Sequence, residues 1–228
     1  MKIKYLIISI LLSTAAFAEQ SSWNINTGCS QISNETDQNT EITPGSRVKA
    51  SYEYTSQNNN LFGASFSILD VNNEQDYEFS LFLKTNLYIG HTFHPCENTQ
   101  ITPIISINNE HMGSLLTLLF PVYESINIDS IGTGTRLSHQ LNERMEVAIN
   151  TEIKFPFRSE FTNWFGDTKL KNNPSYHIDI PISYKLTEKL ITSLTGEYEF
   201  HNLESKETFD IKSTLNFFTA YLGLEYHY

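Results

Sequence analysis

Cysteine is nearly absent from the 228 residues: Cys29 and Cys96 are the only two, so at most one internal disulfide can form. Basic side chains are also scarce, with 15 Lys and Arg against 26 Asp and Glu. That balance argues against a nucleic-acid partner, because phosphate binding requires a basic surface. Beyond residue 18 no window offers about 20 apolar residues, which excludes a helical membrane span in the rest of the chain. A phosphate loop, a Cys-x-x-Cys pair, a His-Glu-x-x-His helix and a nucleophile-elbow pentapeptide are all missing. The soluble enzyme classes built on them find no footing, and no cofactor or metal is expected. G132-T133-G134 lacks the rest of a dinucleotide fingerprint and reads instead as small residues where opposing side chains need room.

What the chain does hold begins with an export signal. Lys2 and Lys4 precede the apolar run from Tyr5 to Leu12, and Ala16-Phe17-Ala18 forms a small-x-small cleavage site. Residues 1–18 are expected to be removed and 19–228 to form the mature domain. Without Lys2 and Lys4 the mature chain carries 26 acidic and 13 basic side chains. Cys29 lies eleven residues beyond the cleavage point behind polar sequence, so it is not a lipoprotein cysteine. In an oxidising periplasm Cys29 and Cys96 are expected to form a disulfide.

The mature chain alternates. At the C-terminus Phe218, Ala220, Leu222, Leu224, Tyr226 and Tyr228 share one strand face, with Thr219, Tyr221, Gly223, Glu225 and His227 on the other. From Met145 to Phe157 and from Tyr176 to Leu186 the same pattern repeats. A soluble sandwich also alternates, but aromatics at strand ends (Phe157, Tyr176, Tyr184, Tyr198, Tyr226) fit the girdles of a membrane barrel. L83-K84-T85-N86-L87, L141-N142-E143-R144-M145 and L186-T187-E188-K189-L190 each bracket a polar triplet with apolar residues, as tight strand-turn-strand connections would. Strands are expected at 22–30, 46–55, 61–69, 76–83, 87–94, 100–108, 112–122, 127–140, 145–157, 175–186, 190–200 and 209–228. The fold class is therefore all-β, an antiparallel transmembrane β-barrel of twelve strands, with ten as the alternative if 76–94 is one strand and 19–45 an arm. Leu215 to Phe218 breaks parity within the last strand unless a bulge restores it.

Signal peptide, even strand count, short turns, long outer loops and terminal aromatic together resemble the small bacterial outer-membrane β-barrels over essentially the whole mature chain. The strand count also resembles a solitary autotransporter-like barrel without a passenger and, more loosely, a porin. This resemblance implies residence in the outer membrane of a Gram-negative bacterium, among its lipids and lipopolysaccharide.

Parity gives an inward set of Arg47, Lys49, Glu53, Lys84, Arg136, Glu146, Glu152, Lys154, Asp179, Lys185, Glu197, Glu199 and Glu225. A charge network filling the lumen is expected, because isolated charges there are costly. The leading functional expectation is a structural or surface-binding barrel; a small-solute, porin-like channel is the alternative. A third reading is a hydrolase at the rim. His177 and Asp179 on one strand and Glu199 and His201 on its neighbour could together activate water, an order that faintly resembles outer-membrane proteases. Ser138 and His139 point to opposite faces and form no dyad. Phe161, Trp164 and Phe165 in the 158–174 loop are candidates for contact with a surface ligand.

Overall fold

In the computed structural model residues 20–36, 40–71, 81–113, 125–163, 166–205 and 212–228 are described. The expected signal peptide therefore lies outside the described residues. The strands are β1 (Gln20–Thr36), β2 (Thr40–Thr55), β3 (Asn60–Val71), β4 (Leu81–His91), β5 (Phe93–Cys96), β6 (Thr99–Gly113), β7 (Ser125–Gln140), β8 (Met145–Asn163), β9 (Gly166–Lys169), β10 (Ser175–Lys185), β11 (Leu190–Glu204) and β12 (Lys212–His227). All twelve belong to one antiparallel sheet. Ten close the barrel in the order β10-β11-β12-β1-β2-β3-β4-β6-β7-β8, sealed by β8 pairing with β10. The short β5 and β9 are appended to β6 and β8.

The start of β1 and the C-terminus lie at one end, here called the terminal end, where Tyr228 N donates to Ser21 O at 3.0 Å and His227 N to Lys189 O at 2.8 Å. The turns at 56–59, 141–144 and 186–189 share that end. Two of the three repeated segments form like turns. Asn142 Oδ1 accepts from Arg144 N and Met145 N at 2.9 Å each, and Thr187 Oγ1 accepts from Lys189 N and Leu190 N at 3.3 and 3.0 Å. The third segment, Leu83 to Leu87, runs straight through β4, with Leu83 opposite His111 and Leu87 opposite Ile107. The parity of a turn and of a continuous strand is the same there, so alternation could not separate them. Likewise 100–108 continues to Gly113 as one strand; residues 114–122 lie outside the described residues.

Merging 76–83 with 87–94 removes one reversal and moves the 92–98 hairpin to the terminal end. Cys96 goes with it, whereas Cys29 sits within β1, outward-facing between Ala220 and Ser46. The expected disulfide is thereby corrected: both thiols are free and exposed. A shared loop end was the ground for pairing them, and the strand count takes it away.

Outward faces carry the apolar belt. Ile25, Ile105, Ile107, Leu194, Leu222 and Leu224 are each more than half exposed, a surface that requires lipid. Near the terminal end Trp23 packs on Tyr52 with centroids 4.9 Å apart, and Tyr226 meets Tyr228 at 5.1 Å. At the other edge Tyr198 packs on Phe218 at 4.7 Å. Tyr226 and Phe218 are eight residues apart on β12. That is roughly 27 Å of strand, or about 20 Å of height at a tilt of about 40°, close to the apolar band of an outer-membrane barrel.

Inside, the side chains change character along each strand. β6 reads Ser106, Asn108, Glu110, Met112 inward; β11 reads Glu197, Glu199, His201, Leu203; β12 reads Tyr221, Thr219, Phe217, Leu215. At the far end Ile32, Leu69, Met112, Ile128, Leu203 and Phe217 therefore meet in an apolar layer within the barrel, with Leu170 fully buried among them. Leu215 and Phe217 do not need a bulge. Register from β11 to β12 is unbroken, and these two residues are simply apolar on the inner face.

Candidate functional site: the layered lumen

Three layers succeed one another inside: an apolar layer at the far end, a buried charge network in the middle and a cavity lined by polar and charged groups at the terminal end. Lys154 Nζ, on β8, donates to Glu110 Oε1 at 2.7 Å and to Glu199 Oε1 at 2.5 Å, and its side chain is wholly buried. Lys84 reaches the same Glu199 oxygen at 2.5 Å. Arg47 Nη1 donates to Glu197 Oε1 at 2.6 Å and its Nη2 lies 3.8 Å from Glu199. Tyr221 donates to Glu197 Oε1 at 3.3 Å. These groups come from β2, β4, β6, β8, β11 and β12, so the network ties together walls that are remote around the sheet. A buried charge in such a place needs paired partners and hydrogen bonds, and these have both.

His201 marks the junction of the middle and upper layers. Its ring nitrogens lie 3.6 Å from Glu110 and 3.4 Å from Glu199, and its ring meets Phe217 edge-on at 5.6 Å. Phe82 then packs against Phe217 at 5.1 Å. Below the network, a cavity of about 590 Å³ opens at the terminal end. Arg136 crosses it as a bidentate partner of Glu53, with Nη1 to Oε2 at 2.9 Å and Nη2 to Oε1 at 2.6 Å. Tyr88 donates to the same Glu53 at 2.5 Å and lies flat over Gly63, where any Cβ would run into its ring.

The residues expected inside divide among these layers. Lys154, Glu197 and Glu199 are in the middle network. Glu152 accepts from Ser106 and, at 3.0 Å, from Asn108 Nδ2. Arg136 pairs with Glu53, and Glu225 lies 2.8 Å from His227. Glu146 and Lys185 are exposed at the mouth of the cavity. His177, Asp179, Glu199 and His201 share the middle of the barrel rather than its rim. His177 and Glu199 are cross-strand partners, as are Asp179 and Glu197. Glu199 and His201 face Lys154, whereas His177 and Asp179 face the cavity.

Glu110 was absent from the expected set because its strand was ended at residue 108. Continuing the Ser106, Asn108 alternation one more step reaches it. Phe161 is not in a loop: it belongs to β8, opposite Ile126 and Thr168, and packs against the apolar layer. A register shift between Asp129 and Ser130 leaves Phe157 unopposed and reverses parity, so Phe155 and Phe157 face out but Phe161 faces in. Trp164 and Phe165 lie outside the described residues.

Among the described residues, two sets of side chains bring three ligand-type atoms within 4.8 Å of one another: Glu110 with Glu199 and His201, and His177 with Asp179 and Glu197. In the first the ammonium of Lys154 already lies between the two carboxylates.

No protein-family model and no curated protein matches the chain. Solved structures resemble it along nearly its whole length, among them these two. The outer membrane protease OmpT from Escherichia coli superposes with a TM-score of 0.58 at 10% identity, covering 92% of this chain and 97% of that one. An outer membrane channel from Pseudomonas putida F1 gives 0.51 at 9% identity, covering 91% and 95%. Identities this low carry the fold and not the activity. The belt, the girdles, the closed antiparallel sheet and these likenesses make the fold that of the small bacterial outer-membrane β-barrels.

Proposed function

We propose that this protein is a non-conducting outer-membrane barrel with a structural or surface-binding role. Its export is by the leader, with cleavage after Ala18. The observation that carries the reading is the stacking of layers across the lumen: a charge network from six strands, then an apolar layer. An ion crossing from the cavity would have to break Lys154 from its two carboxylates and then pass through Leu69, Met112 and Phe217. Solute passage is unfavourable at both steps. The terminal end, with its short turns, is read as periplasmic, and the opposite strand ends as the surface presented to ligands and lipopolysaccharide.

The reading gives His177, Asp179, Glu199 and His201 no hydrolytic role, since two ammonium groups already hold Glu199. Osmotic swelling of proteoliposomes in small sugars tests it. No swelling above protein-free vesicles is expected, and swelling at porin rates would favour the channel reading instead.

A further inference from the structure

The cavity floor carries a group of side chains that the lumen network does not fully use. His177 Nε2 lies 3.6 Å from Asp179 Oδ2 and 3.5 Å from Glu197 Oε2. Ligand atoms bound tetrahedrally to a metal ion at about 2.0–2.2 Å are themselves about 3.3–3.6 Å apart. The two edges from the imidazole nitrogen to the carboxylate oxygens thus already stand near tetrahedral spacing, and the two carboxylate oxygens lie within 4.8 Å of each other.

The rest of each ligand is held from outside. Asn150 Nδ2 donates to Asp179 Oδ1 at 2.5 Å, leaving Oδ2 toward the histidine. Arg47 and Tyr221 engage Glu197 Oε1, leaving Oε2. Such outer contacts orient ligands and raise affinity. His177 and Asp179 line the cavity, so a fourth position is reachable by water from the terminal end. Seven carboxylates and four basic groups line that cavity, an excess of three negative charges with histidines neutral. Cations are concentrated there and anions kept out.

We propose that His177, Asp179 and Glu197 form a binding site for a divalent transition-metal ion, entered from the periplasmic end through the acidic cavity. One imidazole and two carboxylates suit zinc and its neighbours rather than calcium, which takes six or more oxygens. Sequence spacing hides the site, since His177 and Asp179 come from β10 and Glu197 from β11. Lys49 is the internal competitor: its ammonium lies 3.5 Å from Glu197 Oε2, on a partly exposed side chain that can withdraw. The Glu110, Glu199 and His201 group is not proposed, because Lys154 lies between its carboxylates.

The test uses untagged full-length protein folded in detergent micelles and titrated with cobalt(II), whose visible absorption is intense only in a low-symmetry, four-coordinate site. One equivalent of cobalt is expected to give that band, and zinc to bleach it. His177→Ala should abolish the band and Asn150→Ala weaken affinity about tenfold. Lys49→Gln should tighten it, and His201→Ala should leave it unchanged. Folding of each variant is checked by heat-modified gel mobility; Lys49→Gln keeps the test decisive if His177→Ala does not fold. Absence of the band in wild-type protein, its persistence in folded His177→Ala, its loss in His201→Ala, or no tightening in Lys49→Gln would each overturn the assignment. The swelling result does not bear on it, since the site needs only the cavity.

Discussion

Replacing Lys154 with Met removes the one fully buried ammonium among the described residues while keeping most of the side-chain volume. Two charge-assisted hydrogen bonds go with it, to Glu110 at 2.7 Å and Glu199 at 2.5 Å. Each is worth about 1.5–3 kcal/mol. Lys84 remains, 2.5 Å from Glu199 but 3.7 Å from Glu110, so Glu110 loses its nearest cation while still buried. Breaking a buried ion pair by removing one partner costs about 3–5 kcal/mol, and the same loss is expected here. Urea unfolding of the protein in lipid vesicles, followed by tryptophan fluorescence, measures it. Adding Glu110→Gln should recover part of the loss, because the surplus charge is then neutralised in place. Arg158→Ala, at an exposed pair with Glu160, serves as the control and should leave the midpoint unchanged. A Lys154→Met loss below about 1 kcal/mol would refute the claim that this network holds the barrel walls together.

Other outcomes follow from the same geometry. Leu222→Arg places a guanidinium on a side chain that is 65% exposed to lipid, and should cost about 2–4 kcal/mol in the same unfolding assay. Substitution of Asn26, on the inner face, by Ser should cost much less. Mass analysis after alkylation without reductant should show two modified thiols. Cys96, in the hairpin at the terminal end, should react with a water-soluble maleimide in membranes faster than Cys29, whose outward side chain lies within β1.

The legible part of this fold was whatever depends on parity. Met145 to Phe157, Tyr176 to Lys185 and Phe218 to Tyr226 fall on the faces that alternation assigns, because lipid outside and polar groups inside impose a period of two. Two of the three repeated turns were legible for a local reason, an Asn or Thr that accepts from the backbone just ahead of it. The third was not, since Lys84 and Asn86 in a polar stretch look alike in a turn or on the inside of a strand.

The upper lumen was the least legible. Alternation reads apolar residues as lipid-facing, so Leu215 and Phe217 looked like a fault in register when they are the inner face of an apolar layer. The pairing of charges was legible as a need but not as a map. Which carboxylate Lys154 meets depends on β6 and β8 lying two strands apart and on a register that no single strand contains. The same holds for His177, whose neighbours Asp179 and Glu197 come from its own strand and the next.

The central claim is that the lumen is closed, and single-channel recording in planar bilayers addresses it most directly. Purified wild-type protein should insert without stable current steps in 1 M KCl. Weakening both barriers, with Lys154→Met and Phe217→Gly together, should raise leak if the variant folds. Steady, ohmic steps of open-porin size from the wild-type protein would contradict the account.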